Sequence, residues 1–248
     1  MKRLLWLLLV GVVVVGLLLS GCAGGGGTGK IRVATDATWP PFEYIQTNTT
    51  EIVGFDIDLF DAIAERADLD VEYVNVAWDP LLAGMAQGTY DAAISSITIK
   101  PDRLEKMNFS HPYYVAGQII TVLTSNTDIT GPETLSGMLV GVQGGTTGDD
   151  TATSINRTDV RRYDEIGLAF VALMTNQIDA VICDTPVAYG YVETYDTLKT
   201  VGEVLTTEEY GIAVPKGKED LLAKINTALD ALLAEGIIDQ LTQKWLVH

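Results

Sequence analysis

Two tryptophans stand where binding chemistry could be done. Trp39, in ATDATWPPFE (34–43), and Trp78, in NVAWDPLLAGM (75–85), each follow a strand-like run and sit among acids or turn residues. Asp36 lies three residues before Trp39 and Glu43 four after it. Two carboxylates beside an aromatic face can hold a cation, by charge and by the ring quadrupole. Tryptophan is also highly buried on average, so a pair of core side chains is the plain alternative.

Three further segments carry polar groups at the ends of apolar runs. In AAISSITIKPDR (92–103) a buried strand is expected to end at Ser95 and Ser96, Thr98 adds a hydroxyl, and Arg103 follows Pro101. Hydroxyls and strand-end carbonyls suit an ammonium, and a guanidinium fork suits a carboxylate. Arg103 could equally pair at the surface with Asp102 or Glu105. In VGVQGGTTGDD (140–150) a strand runs into Gly144 and Gly145, and Thr146 and Thr147 open a helix. Free N–H groups at a helix start bind anions, and glycine permits close approach; an ordinary threonine cap reads the same. The segment lacks the glycine spacing of a dinucleotide site and the lysine of a phosphate loop. In DAVICDTP (179–186) Asp184 ends a buried strand, where it could cap the next helix or grip an ammonium. Together these pieces suit an α-amino acid: Arg103 and the Thr147 amide for the carboxylate, Asp184 with Thr98 and Ser96 for the ammonium, and an aromatic clamp for the side chain.

The elements that must hold these groups alternate between short apolar runs and helical periodicity, which indicates an α/β fold with mostly parallel strands. Strands are expected at 31–35, 69–76, 91–96, 117–124, 138–142, 178–184 and 211–215. Helices are expected at 54–67, 79–87, 147–155, 164–176, 186–193 and, as a pair, from 219 onward. In the last pair Leu221, Leu222, Ile225, Leu229, Leu232 and Leu233 recur at helical spacing and read as core. Residues 31–96 and 138–184 form two similar strand-helix units, each ending in a strand followed by polar residues. Ligands bind outside the carboxyl ends of strands in open α/β sheets, so two facing sheets would put those ends across one cleft.

The N-terminus bears on compartment. Lys2 and Arg3 precede an apolar stretch from Leu4 to Leu19, shorter than the ~20 residues of a membrane span, and the pattern is that of a secretory signal. Leu19-Ser20-Gly21-Cys22 resembles the lipobox of bacterial lipoproteins, which implies removal of residues 1–21 and a lipid on Cys22. Residues 22–29 are glycine-rich and read as a tether, placing the body outside the cytoplasm at a membrane surface. With the leader's two basic residues gone from the chain's 16, 14 remain against 33 acids, a net of −19. That surface is a poor partner for nucleic acid. A lipidated Cys22 leaves only Cys183, so no internal disulfide is expected. His111 and His248 are the only histidines, and no spacing resembles a metal site; no cofactor is expected.

ATDATWPPFE, EIVGFDIDLFDAIAE (51–65), DAAISSITIKPDR (91–103) with MNFSHPYY (107–114), VGVQGGTTG, DAVICDTP and EEYGIAVPKG (208–217) occur in that order. Taken together they resemble the extracytoplasmic amino-acid-binding proteins of ABC importers, in the polar and basic amino-acid cluster of solute-binding protein family 3. The resemblance covers nearly all of the chain after the tether. It implies a two-lobed periplasmic-binding-protein fold (type II), α/β, with two three-layer lobes joined by two hinge strands. Lobe one would be 30–115 plus 211–248, and lobe two 116–210. It also implies a monomer, not an enzyme, that traps a free amino acid and delivers it to a membrane permease whose partner ATPase supplies the energy. In the family pattern Arg103 and the Thr147 amide take the α-carboxylate, and Asp184, Thr98 and the Ser96 carbonyl take the α-ammonium. Trp39 and Trp78 match the positions that sandwich the side chain, and Asp36, Glu43, Ser95, Gln143 and Thr146 stand at its far end. Such an aromatic pair with a Pro-Pro-Phe-Glu segment goes with basic ligands: arginine first, then lysine or ornithine, then histidine or glutamine. A planar guanidinium can stack between two rings while forking to a carboxylate. Readings from other classes are a prephenate or arogenate dehydratase, with Glu43 as its acid, and a sensor lobe of a receptor or kinase, for which no signalling segment follows.

Overall fold

The apolar runs form the centres of two separate five-stranded sheets. A computed structural model describes residues 29–246; the leader, Cys22 and most of the tether lie outside them, as do residues 247 and 248. The first sheet runs in the order Val71–Asn75, Ile31–Thr35, Ala92–Ala93, Ala213–Pro215, Met107–Phe109. The second runs Asp159–Tyr163, Leu139–Gln143, Ala180–Asp184, Gln118–Leu123, Leu198–Val201. In each sheet the first three strands are parallel and the last two are joined antiparallel. Four of the five strands in each sheet therefore run the same way, as expected of mostly parallel strands, and one runs against them, which makes the sheets mixed. In the first sheet the reversed strand Ala213–Pro215 and its neighbour Met107–Phe109 flank the places where the chain crosses between lobes, and in the second the reversed strand Gln118–Leu123 does so too.

Helices cover both faces of both sheets, which gives two three-layer α/β lobes. Phe55–Ala67 and Glu219–Ala234 pack together on one face of the first sheet through Leu59, Phe60, Ile63, Ile225 and Leu229. Trp78–Gln87 covers the other face with Leu81 and Met85. The buried residues Ile225, Leu229 and Leu232 keep the spacing of one helical face. Leu233 falls off that face and is 59% exposed, so its expected place in the core is corrected. In the second lobe Ile120 and Val122 point to one side of a strand, and Ile119 and Thr121 to the other. That double burial is what an unbroken apolar run signals.

Two strands cross between the lobes side by side: Tyr114–Ala116 pairs antiparallel with Glu208–Tyr210. They pass so closely that a Cβ on Gly117 would lie 2.1 Å from the Thr206 carbonyl oxygen. Gly117→Ala should therefore force the crossing apart. Overpacking of this kind costs about 1–3 kcal/mol, and each kcal/mol lowers the melting temperature by about 2–4 °C in a protein of this size. Thermal unfolding of the variant measures it.

A three-stranded antiparallel sheet of Thr38–Trp39, Glu43–Ile45 and Ile52–Val53 was not expected from the sequence. Its strands are too short for an alternation pattern, and two prolines interrupt the first pair. The sheet matters because it sets Trp39 and Glu43 directly opposite each other. Similarly, the run 91–96 is a strand only at Ala92–Ala93. The chain then turns at Ser96, whose φ of 48° is left-handed, and residues 95–98 leave the sheet edge for the cleft.

Candidate functional site

The twelve residues singled out in the sequence line one cavity between the lobes: Asp36, Trp39, Glu43, Trp78, Ser95, Ser96, Thr98, Arg103, Gln143, Thr146, Thr147 and Asp184. Counted with the open solvent at its mouth, the space among them is about 320 Å³. Strand ends deliver most of the lining. Asp36 follows Ile31–Thr35, Gln143 ends Leu139–Gln143, and Asp184 ends Ala180–Asp184.

Arg103 is not a surface residue. It is 4% exposed, and its Nη1 donates to the Thr98 carbonyl at 3.0 Å. Its guanidinium lies 5.1 Å from the centre of the Trp78 ring. Nε and Nη2 are buried without a partner, and neither Asp102 nor Glu105 forms an ion pair with it among the described residues. Burial pushes its proton affinity down, and the charges of Asp102 and Asp184 oppose that. A buried cation with two idle donors is costly, and a carboxylate fits that fork.

Asp184 is the N-terminal flanking residue of helix Thr185–Thr194 but makes no capping bond. Its carboxylate instead accepts from Gln118 Nε2 and, at 2.7 Å, from the Tyr210 hydroxyl. Burial, and then the charge of Glu208, push its pKa up to about 7; the bonds from Tyr210 and Gln118 and the charge of Arg103 pull the other way. The folded protein thus holds a proton here that the unfolded chain releases above about pH 4. Its contribution to stability falls as pH rises toward 7. The ligand-free protein should melt at a lower temperature at pH 8 than at pH 5, and Asp184→Asn should flatten that decline; scanning calorimetry at the two pH values decides it.

The opposite end is acidic. Asp36 accepts from Thr38 Oγ1 at 2.9 Å and from Gln143 Nε2 at 3.0 Å. Ser95 Oγ takes the Asp36 N–H at 2.9 Å and donates to Glu43 Oε1 at 3.0 Å. Burial raises the pKa of Asp36 and, further, that of the fully buried Glu43. Thr146 caps helix Thr147–Ser154, its Oγ1 accepting from the Asp149 N–H and donating to the Gln143 carbonyl. Thr147 opens that helix with its Oγ1 held by Gln118 Nε2 at 3.2 Å. The Thr98 hydroxyl donates to Glu208 at 2.8 Å.

Trp39 and Trp78 are 7% and 8% exposed, so each packs into a core cluster while also lining the cavity. Trp78 Nε1 donates across the cleft to the Gly145 carbonyl at 3.0 Å, and Trp39 Nε1 has no partner. The Gln143–Asp36 and Lys100–Asp150 bonds also span the cleft. Gln118, Tyr210, Glu208 and Asp56 buttress the lining and were not singled out in the sequence. Tyr210 lies within EEYGIAVPKG, but nothing in that pattern marks it as a partner of Asp184.

The profile of the bacterial extracellular solute-binding proteins, family 3, matches residues 31–248. The chain belongs to this family. It is 33% identical over 241 residues to the ABC transporter arginine-binding protein 1 of Escherichia coli K12, covering 94% of this chain and 98% of that one. The solved arginine-, lysine-, histidine-binding protein ArtJ of Geobacillus stearothermophilus superimposes with a TM-score of 0.84 at 35% identity, over 89% of this chain and 96% of that one. An ancestral amino-acid-binding protein, a precursor of cyclohexadienyl dehydratase, does so with a TM-score of 0.82 at 34% identity, over 88% and 96%. The two-lobed fold is that of this solute-binding family. The family is extracytoplasmic, and among the described residues no helix is long and apolar enough to cross a membrane.

Proposed function

We propose that this solute-binding protein captures a free basic amino acid, arginine foremost, outside the cytoplasm and delivers it to an ABC permease. The observation that carries the reading is the charge balance of the cavity, three acids against one base. An α-carboxylate on Arg103 and the Thr147 amide, with an α-ammonium on Asp184, uses one charge of each sign. Asp36 and Glu43 are left for the side chain, between two indole faces that stack well on a guanidinium. The relatives named for arginine, and for arginine, lysine and histidine, support this order. Titration calorimetry of ligand-stripped protein with the twenty amino acids tests it: a basic one should bind tightest, and preference for an acidic or aliphatic one would sink the charge argument.

Ligand meets lobe one first in this reading, and contacts from the second lobe then hold the closed state. The shift equals the difference in affinity between the two states. The closed form docks on the permease, and a lipid on Cys22 keeps it at the membrane.

Glutamine is the alternative ligand, favoured by the raised proton affinity of Glu43, since a protonated carboxyl can serve an amide. The same observation is what a dehydratase acid would need, and one structural neighbour is a precursor of such an enzyme. Incubation with prephenate or arogenate should yield no aromatic product; its formation would make the protein an enzyme.

A further inference from the structure

Behind the cavity wall lies a carboxyl pair. Asp56, in the first turn of helix Phe55–Ala67, is fully buried and forms no part of the lining. Its Oδ2 accepts two bonds, from the Ser96 N–H at 2.8 Å and the Tyr113 hydroxyl at 2.9 Å. Its Oδ1 is buried with no N–H or hydroxyl donor. Glu43, fully buried, accepts from Ser95 Oγ at 3.0 Å and from Ser96 Oγ at 3.4 Å, so Ser96 holds one carboxyl by its hydroxyl and the other by its N–H. The other titratable groups that act on the pair are acids: Asp36 beyond the first strand, Tyr113 before the crossing strand, and Tyr73 on Val71–Asn75. No lysine, arginine or histidine bonds to either carboxyl among the described residues. Two carboxylates drawn to one serine in a buried site without a cation repel each other unless one of them carries a proton. Like charges in one dry site keep such a proton.

We propose that Asp56 is a positioning residue that sets side-chain specificity: it shares one proton with Glu43 in the ligand-free protein, and the pair keeps that proton for an amide but releases it to solvent for a guanidinium. The inference rests on the reading that an amino-acid side chain reaches Glu43. Glutamine meets the pair with its shared proton kept, its amide NH2 donating to a Glu43 oxygen. Arginine instead meets an ionised Glu43, and the displaced proton goes to the buffer. Burial, the largest influence on both groups, favours the protonated pair until a cation arrives. Arginine affinity therefore rises with pH by up to about tenfold per unit more than glutamine affinity does while the stripped pair holds its proton.

Calorimetry at pH 7 in two buffers of different ionisation enthalpy measures the protons exchanged. Arginine should release about one proton more than glutamine. Asp184 faces the α-ammonium common to both ligands and cancels from that difference. Asp56→Asn, whose Nδ2 would donate to Glu43 and leave it ionised, should abolish the difference and raise the arginine-to-glutamine affinity ratio about tenfold at pH 7. Should that variant misfold, infrared spectra of the wild-type protein carry the test: a protonated-carboxyl C=O band of stripped protein that glutamine leaves in place should vanish with arginine. Equal proton release for the two ligands, or no such band in stripped protein, overturns the inference. A band in stripped protein that does not bind arginine but does bind glutamine with the band retained supports the shared proton and sinks the choice of arginine instead.

Discussion

Arg103→Ala is expected to abolish amino-acid binding, weakening it by about two to three orders of magnitude. In the proposed complex the ligand carboxylate and the guanidinium are both buried, and removing one member of such a pair costs about 3–5 kcal/mol, with each 1.4 kcal/mol worth tenfold. Thr147's amide remains as a donor but supplies no charge. The stack of the guanidinium on Trp78 disappears as well. The fold should survive, because Nε and Nη2 have no partners to lose and only the bond to the Thr98 carbonyl is broken. Removing a poorly paired buried charge should leave the ligand-free melting temperature unchanged or raise it. Calorimetry and thermal melts on one preparation separate the two effects. Retained affinity would mean that the carboxylate sits elsewhere.

Glu43→Gln has the second largest expected effect, and it is selective. Arginine should lose about 2–4 kcal/mol, the cost of deleting one partner of a desolvated charge pair. Glutamine, which needs only a donor or acceptor at that point, should change by less than about tenfold. The substituted amide can still receive the Ser95 and Ser96 hydroxyls, so folding is not at issue. Competition between labelled arginine and glutamine reads the ratio directly. Equal losses for both ligands would make Glu43 a structural residue.

The cavity was more legible in the sequence than the scaffold around it. Ser95, Gln143 and Asp184 each sit at or just beyond the end of a strand built from an apolar run, and strand ends are where open α/β sheets present ligands. A sequence shows such a position as a polar residue after a run of valine, isoleucine or alanine. Asp56 gave no such signal. An acid in the first turn of a helix has a sufficient reason in the helix dipole, and nothing local reveals that this one is buried against Glu43. Strands of two or three residues, such as Thr38–Trp39 and Met107–Phe109, carry no usable period. The first pairs locally across Pro40 and Pro41, and the second with a partner about a hundred residues on, Ala213–Pro215. Arg103 remained ambiguous between surface and cavity because the adjacent acids Asp102 and Glu105 offered an equally good local explanation.

The bond from Trp78 to the Gly145 carbonyl makes the molecule its own optical gauge. Its indole is shielded by one lobe and tethered to the other, so opening would break the bond and admit water to the ring. Trp245 lies outside the cavity, in a groove that both lobes line, and adds emission of its own. Ligand titrations should shift tryptophan emission toward the blue without any added dye, and Trp78→Phe should remove most of that shift. Closure could then be timed by stopped-flow fluorescence on unlabelled protein.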